Sequence, residues 1–383
     1  MGSAQKHIFI VAGEASGDLH AAHLVAALKA KDPSLTFSGL GGAQLKAQGV
    51  RLFFNLPGLA VVGFWEVLKH YGTFRKVFKQ FLQEVDKTKP SAVILVDYPG
   101  FNLRLAKALH KKKIKVIYYI SPQVWAWKKN RVFAVKKYVD RMLVVFEFEK
   151  KFYAQFKIDV DFVGHPLVDM VQAKTSKETF LKNIGLQEYR VTIGLLPGSR
   201  AKEVERHLPV MLKAARLLKE EFPMLQFILV KSPTLSSKYY ETCLAGNRLP
   251  LEVVEDTPYE AIHACDHCLV ASGTVTLETT ILEKPMVIMY KTSWLTYLLA
   301  KWFIRIPHIG LVNIVAQKKI VPECIQKQAT PRNLADALKT IFTDETKIAR
   351  IKLDLREVRQ ALGNSGAGET AAACILKLLN TNG

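Results

Sequence analysis

The feature that most constrains the fold of this 383-residue chain is a double series of short apolar runs, rich in Val and Ile, each followed by a segment of helical periodicity. In the first half the runs fall at 8–12, 36–39, 92–97, 116–120, 142–146 and 161–164; in the second they fall at 191–196, 226–230, 251–254, 268–271 and 286–290. Short apolar strands interleaved with amphipathic helices describe parallel sheets covered by helices on both faces. A single hydrophobic core rarely grows past about 250–300 residues, so the two series predict two Rossmann-like domains in tandem. The break falls in the polar stretch after the turn Gly164-His165-Pro166. The expected organisation is a first domain over 1–170, a second over 171–350, and a helical tail over 351–383 that packs back on the first domain or onto a neighbouring subunit.

The formal net charge is +20, with the larger share of the excess before Asp169. Such a surface suits nucleic acid, anionic lipid or a phosphorylated substrate, and charge alone does not choose among them. No stretch approaches about 18 consecutive apolar residues, so no spanning helix is expected. No N-terminal segment has the order of a signal peptide, which predicts a cytoplasmic protein. Five cysteines, an odd number in a chain of this size, predict reduced thiols rather than a disulfide framework. His263, Cys265, His267 and Cys268 have the residue types of a zinc site, but they lie where a helix passes into a strand, which scatters their directions; no metal is expected there. Asp159-Val160-Asp161 runs in strand register into Phe162-Val163 and is likewise read as chance.

Four turns carry candidate chemistry, each following an apolar run. In Gly13-Glu14-Ala15-Ser16-Gly17-Asp18 the glycines allow close approach of a ligand to a helix N-terminus, and Ser16, Gly17 and Asp18 are candidates to line a cleft. Pro197-Gly198-Ser199-Arg200 precedes another helix, where the N–H groups of Gly198 and Ser199 and the fork of Arg200 suit a diphosphate. In Ser272-Gly273-Thr274, with Glu278 one turn into the next helix, a carboxylate stands where acidic residues of nucleotide-binding folds accept bonds from ribose hydroxyls. Asp97 ends the run Ile94-Leu95-Val96, at the carboxyl end of a buried strand, where open α/β sheets bind ligands and where a carboxylate can act as a general base. Each also fits a plainer reading, as a helix cap or a turn.

A fifth signal points to a membrane. Val61, Val62, Phe64, Trp65, Val67 and Leu68 are followed by Phe74, Val77, Phe78 and Phe81 at helical spacing, with Lys69, Arg75, Lys76 and Lys79 among them. Aromatics on one face and cations on the other describe a helix lying in a lipid interface, although a core-facing helix with a solvated basic side gives the same pattern. A second stretch, Trp294 to Ile304, is rich in Trp, Tyr and Leu.

Taken in order, Gly13 to Asp18, Ser121-Pro122-Gln123-Val124-Trp125-Ala126-Trp127, Val163-Gly164-His165-Pro166, Leu196 to Arg200, Ser272 through Glu278, and Asn313 resemble the motifs of the lipid-A-disaccharide synthases over nearly the whole chain. The resemblance implies an α/β GT-B glycosyltransferase fold, two Rossmann-like domains facing a central cleft. It implies inverting transfer from UDP-2,3-diacylglucosamine to 2,3-diacylglucosamine 1-phosphate, with release of UDP and with no metal or other cofactor. Carried over by position, Asp97, Glu14 and Asn313 would be catalytic, Arg200 would hold the donor diphosphate, and Glu278 would bind the UDP ribose. The family also implies peripheral association with the inner membrane of a Gram-negative bacterium and a homodimer that exchanges C-terminal segments. Val312, before Asn313, and Phe146-Glu147-Phe148-Glu149 depart from the usual pattern, each lacking a proline. A UDP-sugar 2-epimerase of the same fold is the alternative, but it has no use for a basic, aromatic docking segment. A nucleic-acid binder, suggested by charge alone, leaves Asp97 and Glu14 without a task; no nucleic-acid partner is expected.

Overall fold

The structure, a computed structural model, describes residues 6–60, 71–125, 130–294 and 307–380. Val61, Val62, Phe64, Trp65, Val67 and Leu68, together with Ala126, Trp127 and most of Trp294 to Ile304, lie outside the described residues. The chain divides into two compact units, one of Met1–Pro166 with Leu362–Gly383 and one of Leu167–Ala361.

The first unit is built on a seven-stranded parallel sheet in the order β3-β2-β1-β4-β5-β6-β7. Its strands are β1 (His7–Ala12), β2 (Thr36–Gly41), β3 (Arg51–Asn55), β4 (Ala92–Val96), β5 (Val116–Tyr119), β6 (Arg141–Val144) and β7 (Asp161–Phe162). The central strands β1 and β4 are buried almost throughout, which is why they read as unbroken apolar runs. The runs did not reveal β3, an edge strand of half-buried pattern that carries Arg51 and Asn55 exposed at its ends. Strand order reverses between β1 and β4, so the loops after these two strands flank the switch point at which open α/β sheets take their ligands.

The aromatic face of the helix Tyr71–Thr88 corrects one expectation. Val77 and Phe81 are fully buried, and Phe74 and Phe78 pack on the same core. Phe81 meets Phe9 of β1 at 5.5 Å between ring centroids, and Phe78 meets Phe101 at 5.7 Å. This face packs on the core of the sheet rather than facing lipid. Arg75, Lys76 and Lys79 are exposed on the other side. The C-terminal helix Ala367–Asn380 packs on Ala15–Lys31, with Gly368 set against Ala27, and so belongs with the first unit.

The second unit carries a six-stranded parallel sheet in the order β10-β9-β8-β11-β12-β13. Its strands are β8 (Thr192–Leu196), β9 (Gln226–Val230), β10 (Glu252–Val254), β11 (His267–Ala271), β12 (Met286–Tyr290) and β13 (Glu323–Ile325). The edge strand β13 is not among the runs, because Pro322 and Glu323 interrupt the apolar residues around it. Here the order reverses between β8 and β11, the strands that lead into the Gly198 and Ser272 turns. Gly194 in β8 lies beneath two thiols: a Cβ there would stand 2.8 Å from Cys265 Sγ and 3.2 Å from Cys268 Sγ, so these cysteines serve core packing. Asp159 and Asp161 both pair with Arg141, with Nη2 donating to Asp161 Oδ1 at 2.6 Å. Among the described residues no helix is long and apolar enough to cross a membrane.

Candidate active site

At the switch point of the first sheet, Glu14 caps the helix Ala15–Lys31 and Asp97 follows β4. Asp97 and Tyr98 adopt φ of +43° and +46°, a left-handed pair that non-glycine residues enter only when their surroundings enforce it. The enforcement is visible. Asn102 Nδ2 donates to the carbonyls of Val96 (3.1 Å) and Asp97 (2.8 Å), and the Tyr118 hydroxyl donates to the Asp97 carbonyl at 2.5 Å. The bent backbone lays the Tyr98 ring against Gly13, where a Cβ would come within 2.1 Å of Tyr98 Cδ1. Gly13 is therefore needed for the room it leaves to Tyr98.

Of the three residues expected beside Glu14, Ser16 is exposed and Gly17 is buried on the side of the helix that faces Ala12 and Val96. Asp18 turns away. Its carboxylate accepts from the N–H groups of Gly42 (2.6 Å), Gln44 (2.9 Å) and Leu45 (3.4 Å), capping the helix Ala43–Ala47. Asp18 is thus a structural cap rather than a lining group.

In the second unit, Gly198 has φ +115° and opens the turn into the helix Ala201–Glu221. One of the two amides expected to cradle a diphosphate is already engaged: Glu203 Oε2 accepts from Ser199 N–H (3.2 Å), and from Arg200 N–H (3.3 Å) as well. The sequence does carry the signal, an acidic residue three positions after Arg200, which is the spacing of a capping box. The Arg200 guanidinium lies 3.7 Å from Glu203 and is 67% exposed. His207, fully buried, ties the turn to β12 through Pro197 O (2.8 Å) and Lys291 N–H (3.1 Å).

Ser272 spends its hydroxyl on Ile309 O (3.0 Å) and its N–H on Met289 O (3.0 Å), while Gly273 borders open space and Thr274 is exposed. Asn313 departs from the expectation of a catalytic cleft residue. It is fully buried; Nδ2 donates to Val321 O (3.0 Å) and Glu323 Oε1 (2.8 Å), and Oδ1 accepts from Ile320 and Val321 N–H. Glu323 in turn accepts from Ile309 and Gly310 N–H. Asn313 therefore positions the 309–310 loop behind Ser272, and Glu323, invisible in the sequence, is its partner.

Burial raises three carboxyls. Asp97 is pushed up to about 7, first by burial and then by the Glu14 carboxylate, against a lowering bond from the Tyr98 backbone. Glu149 and Glu278 are each pushed to about 7, Glu278 by burial alone. Between the ordinary carboxylate range near ~4 and these values the folded chain binds more protons than the unfolded one, so these groups remove stability as pH rises. Glu278→Gln, which stays neutral, is expected to leave thermal melting unchanged at pH 5 and to raise it on the order of 5 °C at pH 8. An equal effect at both pH values would show that Glu278 is not protonated in the native state at pH 5.

Two parallel α/β sheets, each with polar turns and a raised carboxyl at its switch point, are consistent with the α/β GT-B fold. Solved structures place the fold there: a putative UDP-N-acetylglucosamine 2-epimerase from Listeria monocytogenes matches with a TM-score of 0.63 at 13% identity over 99% of this chain and 96% of that one. A glycosyltransferase from Rickettsia africae ESF-5 matches with a TM-score of 0.59 at 13% identity over 100% of both chains. Sequence is narrower than fold. The family model for lipid-A-disaccharide synthetase matches residues 8–377, and the chain belongs to that family. Lipid-A-disaccharide synthases of Syntrophus aciditrophicus and Trichlorobacter lovleyi are 44% and 42% identical to it, over 98% of this chain and of each relative. The epimerase alternative is not favoured, since its likeness is one of fold alone.

Proposed function

We propose that this chain transfers the 2,3-diacylglucosaminyl group of UDP-2,3-diacylglucosamine to 2,3-diacylglucosamine 1-phosphate, forming lipid A disaccharide 1-phosphate and UDP. The observation that carries the mechanism is Asp97, a half-buried carboxyl held near pKa 7 beside Glu14 on a strained turn. As carboxylate it accepts the proton of the acceptor 6-hydroxyl while that oxygen forms a bond to the anomeric carbon of the donor. The bond from that carbon to the diphosphate breaks, its electron pair leaves with UDP, and configuration inverts. Arg200 is assigned to the charge that grows on the diphosphate, and Glu278 to the ribose hydroxyls. Gly198, Ser199, Ser272, Gly273 and Thr274 shape the turns around them. Among the described residues no hydrogen bond or ion pair reaches the Glu278 carboxylate, and burial is what raises its pKa, which suits an acceptor awaiting a ligand's hydroxyls.

Both substrates are acylated, so the reaction belongs at a lipid surface. The exposed Arg75, Lys76 and Lys79, and Trp294 at 70% exposure, support contact with anionic lipid. A homodimer with exchanged C-terminal segments and the absence of a nucleic-acid partner belong to the same reading. Purified chain given both lipid monosaccharides is expected to release one UDP per disaccharide formed. Conversion of the UDP-sugar in the absence of acceptor, with UDP retained, would favour an epimerase instead.

A further inference from the structure

The helix Glu147–Ala154 holds the turn Ser121–Trp125 from one side. Trp125 Nε1 donates to Glu149 Oε1 at 3.1 Å, the Ser121 hydroxyl and the Tyr153 hydroxyl are 2.8 Å apart, and the Phe148 and Trp125 rings meet edge to face at 5.1 Å. Glu149 and Tyr153 stand one helical turn apart, so both reach the turn from the same face.

A glutamate at this place in a helix has an ordinary task, accepting the N–H of the capping residue, and Glu149 Oε2 does so from Phe146 at 3.2 Å. That task is normally done at the surface. Glu149 is instead 1% exposed, and burial pushes its carboxyl up to about 7, an arrangement that weakens the fold at neutral pH. What burial adds is the bond to Trp125. The turn it grips follows Ile120, a β-branched residue at φ +64°, a conformation that needs external restraint. Val96 and Tyr119 are partners in the β4–β5 register, so the residues that follow them, Asp97 and Ile120, emerge side by side. The gripped turn therefore borders the proposed base.

We propose that Glu149 is a positioning residue for the acceptor sugar: it fixes the Ser121–Trp125 turn beside Asp97 so that the half-buried indole of Trp125 forms a wall against the acceptor's glucosamine ring. The inference rests on the function proposed above. The neutral amide of Glu149→Gln has one acceptor for two N–H donors, so it releases either Trp125 or Phe146. Trp125→Phe keeps an aromatic ring but removes the indole N–H together with the five-membered ring that carries it.

In steady-state kinetics of the full chain, each variant is expected to raise the acceptor KM about tenfold or more, since small misplacement of a positioning group costs up to about a hundredfold. The donor KM stays within about twofold of wild type. The double variant is expected to fall well short of the product of the two single effects, because both changes cut the same contact. Unchanged acceptor KM, a donor KM that rises equally, or additive effects in the double variant would each overturn the proposal. Should Glu149→Gln fail to fold, Trp125→Phe decides alone. A wild-type chain that releases no UDP from the two substrates defeats the proposed function, whereas an active wild type with indifferent variants defeats only the role of Glu149.

Discussion

Asp97→Asn is expected to slow UDP release by about 10²- to 10⁴-fold, the usual contribution of a general base, while the chain stays folded. The substitution keeps the shape of the side chain and removes its capacity to take a proton. Asparagine tolerates the left-handed region better than most residues, so the φ of +43° is no obstacle. Removing a carboxylate that burial and Glu14 disfavour should also raise the melting temperature at pH 8, since the cost of ionising it in the folded chain builds up as pH rises from the unfolded value to the folded value of about 7 and is fully present above it. Loss of activity together with gain of stability separates a catalytic group from a structural one. The acid limb of kcat/KM in the wild type should then fall near pH 7. Glu14→Gln tests the division of labour: without the neighbouring charge the Asp97 pKa drops, so the limb moves to lower pH while activity at pH 8 survives. If Glu14→Gln abolishes turnover and Asp97→Asn does not, the base is Glu14.

How far the sequence could be read follows from what each residue depends on. Central strands such as Ile8–Ala12 and Ala92–Val96 are apolar because both faces of the sheet are covered, a property of the strand itself, and they were legible. Edge strands Arg51–Asn55 and Glu323–Ile325 owe their place to a single neighbour and carry no such mark. The face of Phe74, Val77, Phe78 and Phe81 shows the limit of periodicity, which tells that one side of a helix is apolar and not whether protein or lipid covers it. Positions were legible at the site and partners were not. Asp97 and Arg200 could be placed at strand ends, but the contact of Asp18 with Gly42, of Asn313 with Glu323, and of Trp125 with Glu149 joins residues brought together only by the fold.

Gly13→Ala is the substitution that should most sharply reveal how the strained turn serves the site. A methyl at this position would lie 2.1 Å from Tyr98 Cδ1 and 2.3 Å from Cγ, the root of the ring rather than its flexible end, so the ring must leave or the backbone must move. Tyr98 follows Asp97 in the left-handed pair, and the Asp97 carbonyl is pinned by Asn102 and Tyr118. Relief therefore falls on the peptide that aims the Asp97 carboxyl, and displacement of a catalytic group by about 1 Å costs on the order of a hundredfold in rate. The central strands β1 and β4 remain paired through five residue partners each way from Ile8↔Ala92 to Ala12↔Val96, so the fold should survive. Adding Tyr98→Ala removes the colliding ring, and the double variant is expected to recover a substantial part of the activity lost in Gly13→Ala. Recovery would show that the glycine exists for the tyrosine; a double variant as inactive as Gly13→Ala would mean that the chain needs bare backbone at position 13 for a ligand, and the space would then belong to substrate rather than to Tyr98.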